Sequence, residues 1–206
     1  MDGERARVAA YIARYARRML VSAILLVPGA LLIVAATASP GWTVLETGHS
    51  SLHLGIWYLV TCEATVGCDM SVYQKLFRAS DIRSLRIMAC TASMTAIISP
   101  ILFVIARRRI IHHKGIMEIG FCALCSTLCA GVLGFVLTGI TAHDLASIDD
   151  AEVLSELRGP YSIIMMAIGS AVEVGVCVLL AWTMVEKYIE DRTHEQGDTW
   201  LALSRG

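Results

Sequence analysis

Four long apolar runs, with almost no charge in them, constrain this chain more than any other feature. They cover residues 19–39, 87–106, 119–142 and 161–185, and Glu173 in the last run is the only charged side chain within them. A helix needs roughly 20 apolar residues to cross the hydrocarbon core of a bilayer. We therefore expect four transmembrane helices within one domain.

The composition excludes an ordinary soluble domain. Of the 206 residues, 56% are hydrophobic and only 17% are charged. The run at 19–39 could instead be a cleaved signal peptide. Its apolar part is longer than the roughly 7–15 residues of a signal core, and Ala36-Thr37-Ala38 is a weak cleavage site, so we interpret it as the first span.

Basic residues predict the orientation. They are concentrated in residues 1–18 and in the connection 107–118, and loops rich in Lys and Arg face the cytoplasm. Residues 40–86 and 143–160 are then extracellular loops, and the polar tail 186–206 is cytoplasmic and expected to be mobile. The rule is not obeyed throughout, because the first loop also contains basic residues, among them Lys75, Arg78 and Arg83.

The first loop carries the most specific local pattern. A β-prone run from Leu52 to Val60 leads to Cys62, and five residues separate Cys62 from Cys68. We expect the run to form one strand, followed by a turn at Thr65-Val66-Gly67 in which glycine can adopt a positive φ. Outside the cell the two cysteines would form a disulfide, and the alternative is two unpaired thiols.

The residues of this loop resemble the claudin superfamily, which includes the peripheral myelin protein group and the auxiliary subunits of calcium channels and glutamate receptors. The resemblance rests on Trp42 after Pro40-Gly41, on Gly55-Ile56-Trp57, on Cys62 with Cys68, and on an arginine before the second span, either Arg83 or Arg86. Four residues separate Trp57 from Cys62, more than is usual in claudins. The resemblance implies an all-α membrane fold: a left-handed four-helix bundle with a small extracellular antiparallel β-sheet.

Glu173 lies near the middle of the fourth span, with 12 residues of that span on either side. A charged side chain there costs about 2.5–3.5 kcal/mol on insertion scales. We expect a neutral acid bonded to Ser, Thr, a backbone carbonyl or another subunit, and the alternative is a proton or cation relay.

Three cysteines of the third span share one helix face: Cys122, Cys125 and Cys129. Zinc would need a fourth ligand, and no span contains histidine, so we interpret them as packing residues and expect no metal or other cofactor. No nucleophile motif or phosphate loop points to an enzyme, and no nucleic-acid partner is expected.

Acidic residues outnumber basic ones in the two predicted extracellular loops. If the loops line a pore between cells, Glu63, Asp69 and Asp81 would favour cations. A solvated polar surface explains the same charges without a pore.

The resemblance implies a multi-pass protein of the plasma membrane at cell-cell contacts, forming or regulating a paracellular barrier or channel. Its partners would be membrane lipids and claudin-like proteins, in homo- or hetero-oligomers within one membrane and across two. The rival interpretation is an auxiliary subunit of an ion channel or receptor. The final residue, Gly206, offers no side chain to a PDZ scaffold, so none is expected as a partner.

Overall fold

The computed structural model describes residues 2–47, 50–63, 67–71, 79–111, 117–149, 157–158 and 160–203. Four helices and five strands make up this part of the chain. In chain order they are α1 (Asp2–Ala38), β1 (Thr43–Thr47), β2 (Ser50–Leu54), β3 (Leu59–Glu63), β4 (Gly67–Ser71), α2 (Ala79–Ile111), α3 (Met117–Asp149), β5 (Leu157–Arg158) and α4 (Tyr161–Leu203).

Each helix contains a segment long and apolar enough to cross a membrane. The segments are Ala13–Ala38, Arg83–Arg109, Ile119–His143 and Tyr161–Glu186. Each contains 25 to 27 residues, which at about 1.5 Å per residue exceeds the roughly 30 Å of a hydrocarbon core. The prediction of four membrane-length helices is confirmed.

The outer surface of the bundle is apolar. Large hydrophobic side chains project from all four helices, among them Leu31, Ile101, Phe121 and Trp182, the last of which is 73% exposed. Soluble proteins rarely expose apolar patches of more than a few hundred Å². A surrounding hydrocarbon phase would remove this surface from water.

The helices pack in a ring in which α1 and α3 each contact α2 and α4. Small residues allow a close approach between α1 and α4. A Cβ atom at Gly169 would lie 2.9 Å from the carbonyl oxygen of Gly29, and one at Gly29 would lie 3.1 Å from the Val172 side chain. Such contacts bring two helix backbones together without large side chains between them.

A five-stranded sheet covers one end of the bundle, which we call the sheet end. The strand order is β4-β3-β2-β1-β5, and all four pairings are antiparallel. The first four strands come from the connection between α1 and α2. The fifth, Leu157–Arg158, comes from the connection between α3 and α4 and pairs with Val44 and Leu45. The two connections therefore form one sheet, a pairing that the sequence did not predict.

The expectation of one strand from Leu52 to Val60 is wrong. The run contains a turn at residues 55–58, and β2 and β3 on either side pair with Leu54 opposite Leu59. The Gly55 N–H donates to the Tyr58 carbonyl (2.9 Å), which closes the turn. Residues before and after the turn thus lie on neighbouring strands, and their side chains do not alternate along a single strand.

The expectation of a mobile tail after residue 185 also differs from the structure. The backbone of α4 continues as helix to Leu203. The added segment contains helix-favouring residues such as Glu186 and Lys187, with no proline to stop it. At the start of this segment Arg18 of α1 forms an ion pair with Glu186, which joins α1 to α4 at the end opposite the sheet.

Candidate interaction cap and buried carboxyl site

The sheet carries the predicted disulfide. Cys62 and Cys68 are bonded to each other and lie directly opposite in the register of β3 and β4. Gly67 has a φ of 97°, the positive value predicted for the turn. Thr65 and Val66, the other residues of that turn, lie outside the described residues. We call the five-stranded sheet, with its disulfide and the turn at 55–58, the cap.

Trp42 fastens the start of the cap to the end of α1. Its side chain is buried, and its indole N–H donates to the carbonyl oxygen of Ala36 (2.8 Å). Its backbone N–H donates to the carbonyl of Leu54 on β2 (3.1 Å). Trp42 therefore joins the end of α1, through its indole, to the sheet, through its backbone N–H.

Gly41 allows α4 to approach this junction. A Cβ atom at position 41 would overlap the ring of Tyr161, and the Gly41 carbonyl accepts a hydrogen bond from the N–H of Ser162 (3.1 Å). The side chain of Ser162 also bonds to that of Ser39. The end of α1 and the beginning of α4 are thereby fixed to each other beneath the cap.

Arg86 of α2 holds the turn at 55–58. Its Nε donates to the carbonyl oxygen of Ile56 (3.0 Å), and its guanidinium lies 5.5 Å from the centre of the Trp57 ring. Tyr58, in the same turn, donates its hydroxyl to the carbonyl of Ala38 on α1 (2.7 Å). Arg83, three residues before Arg86, is exposed. Of the two candidate arginines, Arg86 makes the contact with the Gly55-Ile56-Trp57 turn.

Two of the three predicted charge-selective acids lie on one face of the cap. Thr61 pairs with Asp69 and Glu63 pairs with Gly67, so Glu63 and Asp69 are diagonal neighbours on the same face. Both are exposed. The disulfide lies on the opposite face. The side chain of Asp81 lies outside the described residues.

A layer of polar side chains crosses the bundle core at mid-height. The core consists of two apolar clusters, one toward the sheet end and one toward the other end. Between them, Ser99 of α2, Thr127 of α3, and Ser170 and Glu173 of α4 are each fully buried. We call these four residues the polar layer. Only Glu173 was singled out in the sequence; hydroxyls near the middle of three spans were the signal for the others.

The described part of the chain does not contain the expected partner of Glu173. Neither of its carboxyl oxygens has a hydrogen-bond partner among the described residues, and the same is true of the Ser170 hydroxyl. The four apolar runs at 19–39, 87–106, 119–142 and 161–185 contain no basic residue. The carboxyl group therefore lies in the bundle interior without a counter-charge or donor from the described protein.

No protein-family model matches the chain, and no curated protein matches it.

Proposed function

We propose that this chain is a claudin-like cell-junction protein of the plasma membrane. In this proposal the bundle is the left-handed one of that superfamily, the cap faces the extracellular space, and both chain ends face the cytoplasm. The cap associates with claudin-like chains beside it and on the adjoining cell, and so forms or regulates a paracellular barrier or channel. The observation that carries the proposal is one disulfide-linked sheet, built from the α1–α2 and α3–α4 connections and attached to a bundle of four membrane-length helices.

Rigidity supports a role in recognition. Trp42, Tyr58 and Arg86 connect the cap to α1 and α2 by side-chain hydrogen bonds to backbone carbonyls. A surface held in this way loses little conformational entropy when it binds a partner, because its groups are already ordered. Such a cap can present the same surface to chains beside it and to chains on an opposing membrane.

The free edge of the cap suits association between chains. All five residues of β4 are exposed, including the large apolar side chain of Met70, which is 67% exposed. In the described part of the sheet β4 pairs with β3 alone. The N–H and C=O groups along its outer edge are therefore available to a strand from another chain.

The acidic face supports a preference for cations if the cap lines a pore. Glu63 and Asp69 lie on one face and are solvent-exposed, where negative charge raises the local concentration of cations. Replacing both, as E63Q with D69N, should reduce the cation preference measured by dilution potentials across a monolayer. Chloride preference or no permeability change on expression of the parent would contradict pore lining and leave the acids as a solvated surface.

The direct test is expression in cells that form no junction strands of their own. Continuous belts at cell contacts, with strands visible by freeze-fracture, are the expected result. A C62S/C68S variant should reach the cell surface but lose the junction strands, because its β3–β4 hairpin is no longer cross-linked. Cys90→Ser is the matched control, since Cys90 is a free, exposed cysteine on α2, and it should retain them. Absence of belts, with co-migration in a large channel or receptor complex, would refute the junction role in favour of an auxiliary subunit.

A further inference from the structure

Three oxygen atoms of α4 lie unpaired in the centre of the bundle. They are both carboxyl oxygens of Glu173 and the hydroxyl oxygen of Ser170, and both side chains are 0% exposed. Buried polar groups are nearly always hydrogen-bonded, because an unmade bond costs about 1–3 kcal/mol for a neutral group and more for a charged one. Three such atoms within one helical turn indicate a ligand that the protein chain does not supply.

The orientation of Ser170 sets it apart from other buried helix hydroxyls. Thr37, Ser99 and Thr127 each donate to the carbonyl four residues earlier, at 2.8 Å in every case. Ser170 makes no such bond, and its Oγ occupies the space where a Cβ atom at Gly134 would lie. The hydroxyl is thus directed away from its own helix toward α3, and Glu173, three residues later, lies on the same face of α4.

Charge balance limits what the ligand can be. A carboxylate at this depth must be neutralised, and the four apolar runs contain no Lys, Arg or His to do so. Two thiols lie close along the helices: Cys177, one turn further along α4, donates toward the Leu124 carbonyl (3.9 Å), and Cys125 of α3 follows Leu124 in the sequence. Residues 19–38 of α1 and 91–106 of α2 include no titratable side chain. Neutralisation must therefore come from a proton or from a bound cation.

The donor atoms favour a small, hard cation. Carboxylate and hydroxyl oxygens suit hard cations, whereas soft metals select sulfur. Beyond the three unpaired oxygens, the Thr127 hydroxyl donates to the Ala123 carbonyl and keeps its lone pairs. A single carboxylate balances a single positive charge, so a monovalent ion leaves the layer neutral and a divalent ion does not.

We propose that Glu173 and Ser170 form an intramembrane site that exchanges a proton for Na⁺ or Li⁺. When the cation binds, the Glu173 carboxylic acid releases its proton to water, and the carboxylate and cation form a neutral pair to which the Ser170 hydroxyl oxygen is a further ligand. The site lies in the bundle rather than the cap, so it does not depend on the junction role.

Reaction with a hydrophobic carbodiimide tests the exchange. Dicyclohexylcarbodiimide forms an acylurea with a protonated carboxylic acid in an apolar environment, and a cation that displaces the proton protects the acid. The full chain in phosphatidylcholine nanodiscs is treated at fixed pH and ionic strength in NaCl, LiCl, KCl or choline chloride. Mass spectrometry of the peptide containing Glu173 gives the labelling rate.

Labelling in choline chloride and concentration-dependent protection by Na⁺ and Li⁺ are expected. At ten times the apparent dissociation constant the unoccupied fraction, and hence the rate, falls about tenfold. S170A should still be labelled but need a higher Na⁺ concentration for the same protection, whereas C125S, which removes a thiol outside the site, should match the parent. Equal labelling of the parent in all four salts, or no labelling in any, would overturn the proposal, and this comparison does not depend on how any variant folds.

Discussion

Replacing Arg86 should loosen the cap from the bundle. In the R86Q variant the bond from Nε to the Ile56 carbonyl (3.0 Å) and the contact of the guanidinium with the Trp57 ring (5.5 Å) are both lost. A hydrogen bond to a charged group contributes about 1.5–3 kcal/mol, and a cation–π contact contributes about 0.5 kcal/mol where solvent is close. Since Arg86 is only half-buried, we take the low ends, which add to about 2 kcal/mol.

Hydrogen exchange followed by mass spectrometry measures this loss locally. A change of about 2 kcal/mol in local opening corresponds to roughly 30-fold faster exchange. The informative amide is Gly55, which donates to the Tyr58 carbonyl within the turn that Arg86 holds. Exchange in the middle of α3, which is remote from the cap, should not change.

Arg83→Gln is the matched control. It removes the same charge from the same helix, three residues earlier, but at an exposed position. Its effect on Gly55 exchange should be less than about twofold, because exposed surface charges contribute little. If R83Q and R86Q accelerated Gly55 exchange equally, net charge rather than the contact with Ile56 and Trp57 would hold the cap. That result would contradict the role assigned to Arg86.

Two further predictions concern packing and the disulfide. Gly169→Ala should destabilise the bundle by about 2 kcal/mol or more, because its Cβ would meet backbone atoms of α1. Gly175→Ala, which has open space around it, should be neutral or stabilising by up to about 1 kcal/mol. Thermal unfolding of both variants in one detergent compares them, and equal melting temperatures would contradict the tight α1–α4 contact. Replacing Cys62 and Cys68 by Ser should cost about 2 kcal/mol of local stability in the β3–β4 hairpin, seen as faster amide exchange there, and unchanged exchange would show that the strand pairing alone holds the hairpin.

The spans were predictable because a single physical requirement governs them. A helix that crosses a bilayer needs about 20 apolar residues in succession, and the four apolar runs meet this requirement however the helices pack against one another. The turn before Cys68 was predictable for a similar reason, since a crosslink over so few residues forces the chain to reverse. Gly67 has the required positive φ.

What the sequence could not predict depends on contacts between distant residues. Arg83 and Arg86 have the same side chain within one turn of helix, and only the docking of Trp57 distinguishes them. The pairing of β5 with β1 joins residues over a hundred positions apart through a two-residue strand. The break at Gly55 was missed because hydrophobic alternation continues through the turn, and the role of Ser170 was missed because its isolated sequence context is that of any packing serine.

The placement of Glu173 and Ser170 in the polar layer can be explained physically. Glu173 alone would be a costly residue in an otherwise charge-free set of spans. Ser170 places a third unpaired oxygen on the same helix face, and Gly134 leaves room for its hydroxyl against α3. A buried acid with a purely structural role would be more stable beside a hydrogen-bond donor, and the described residues supply none. Exchange with a cation therefore explains this arrangement better.

The most direct test of the account is the redox state and location of Cys62 and Cys68 on intact cells. A membrane-impermeant maleimide is applied with and without an impermeant phosphine reductant, and mass spectrometry assigns the adducts to individual cysteines. We expect no label on this pair before reduction and full labelling of both cysteines afterwards, without permeabilisation. Labelling before reduction, or labelling only after the cells are permeabilised, would contradict an oxidised cap on the outside of the cell.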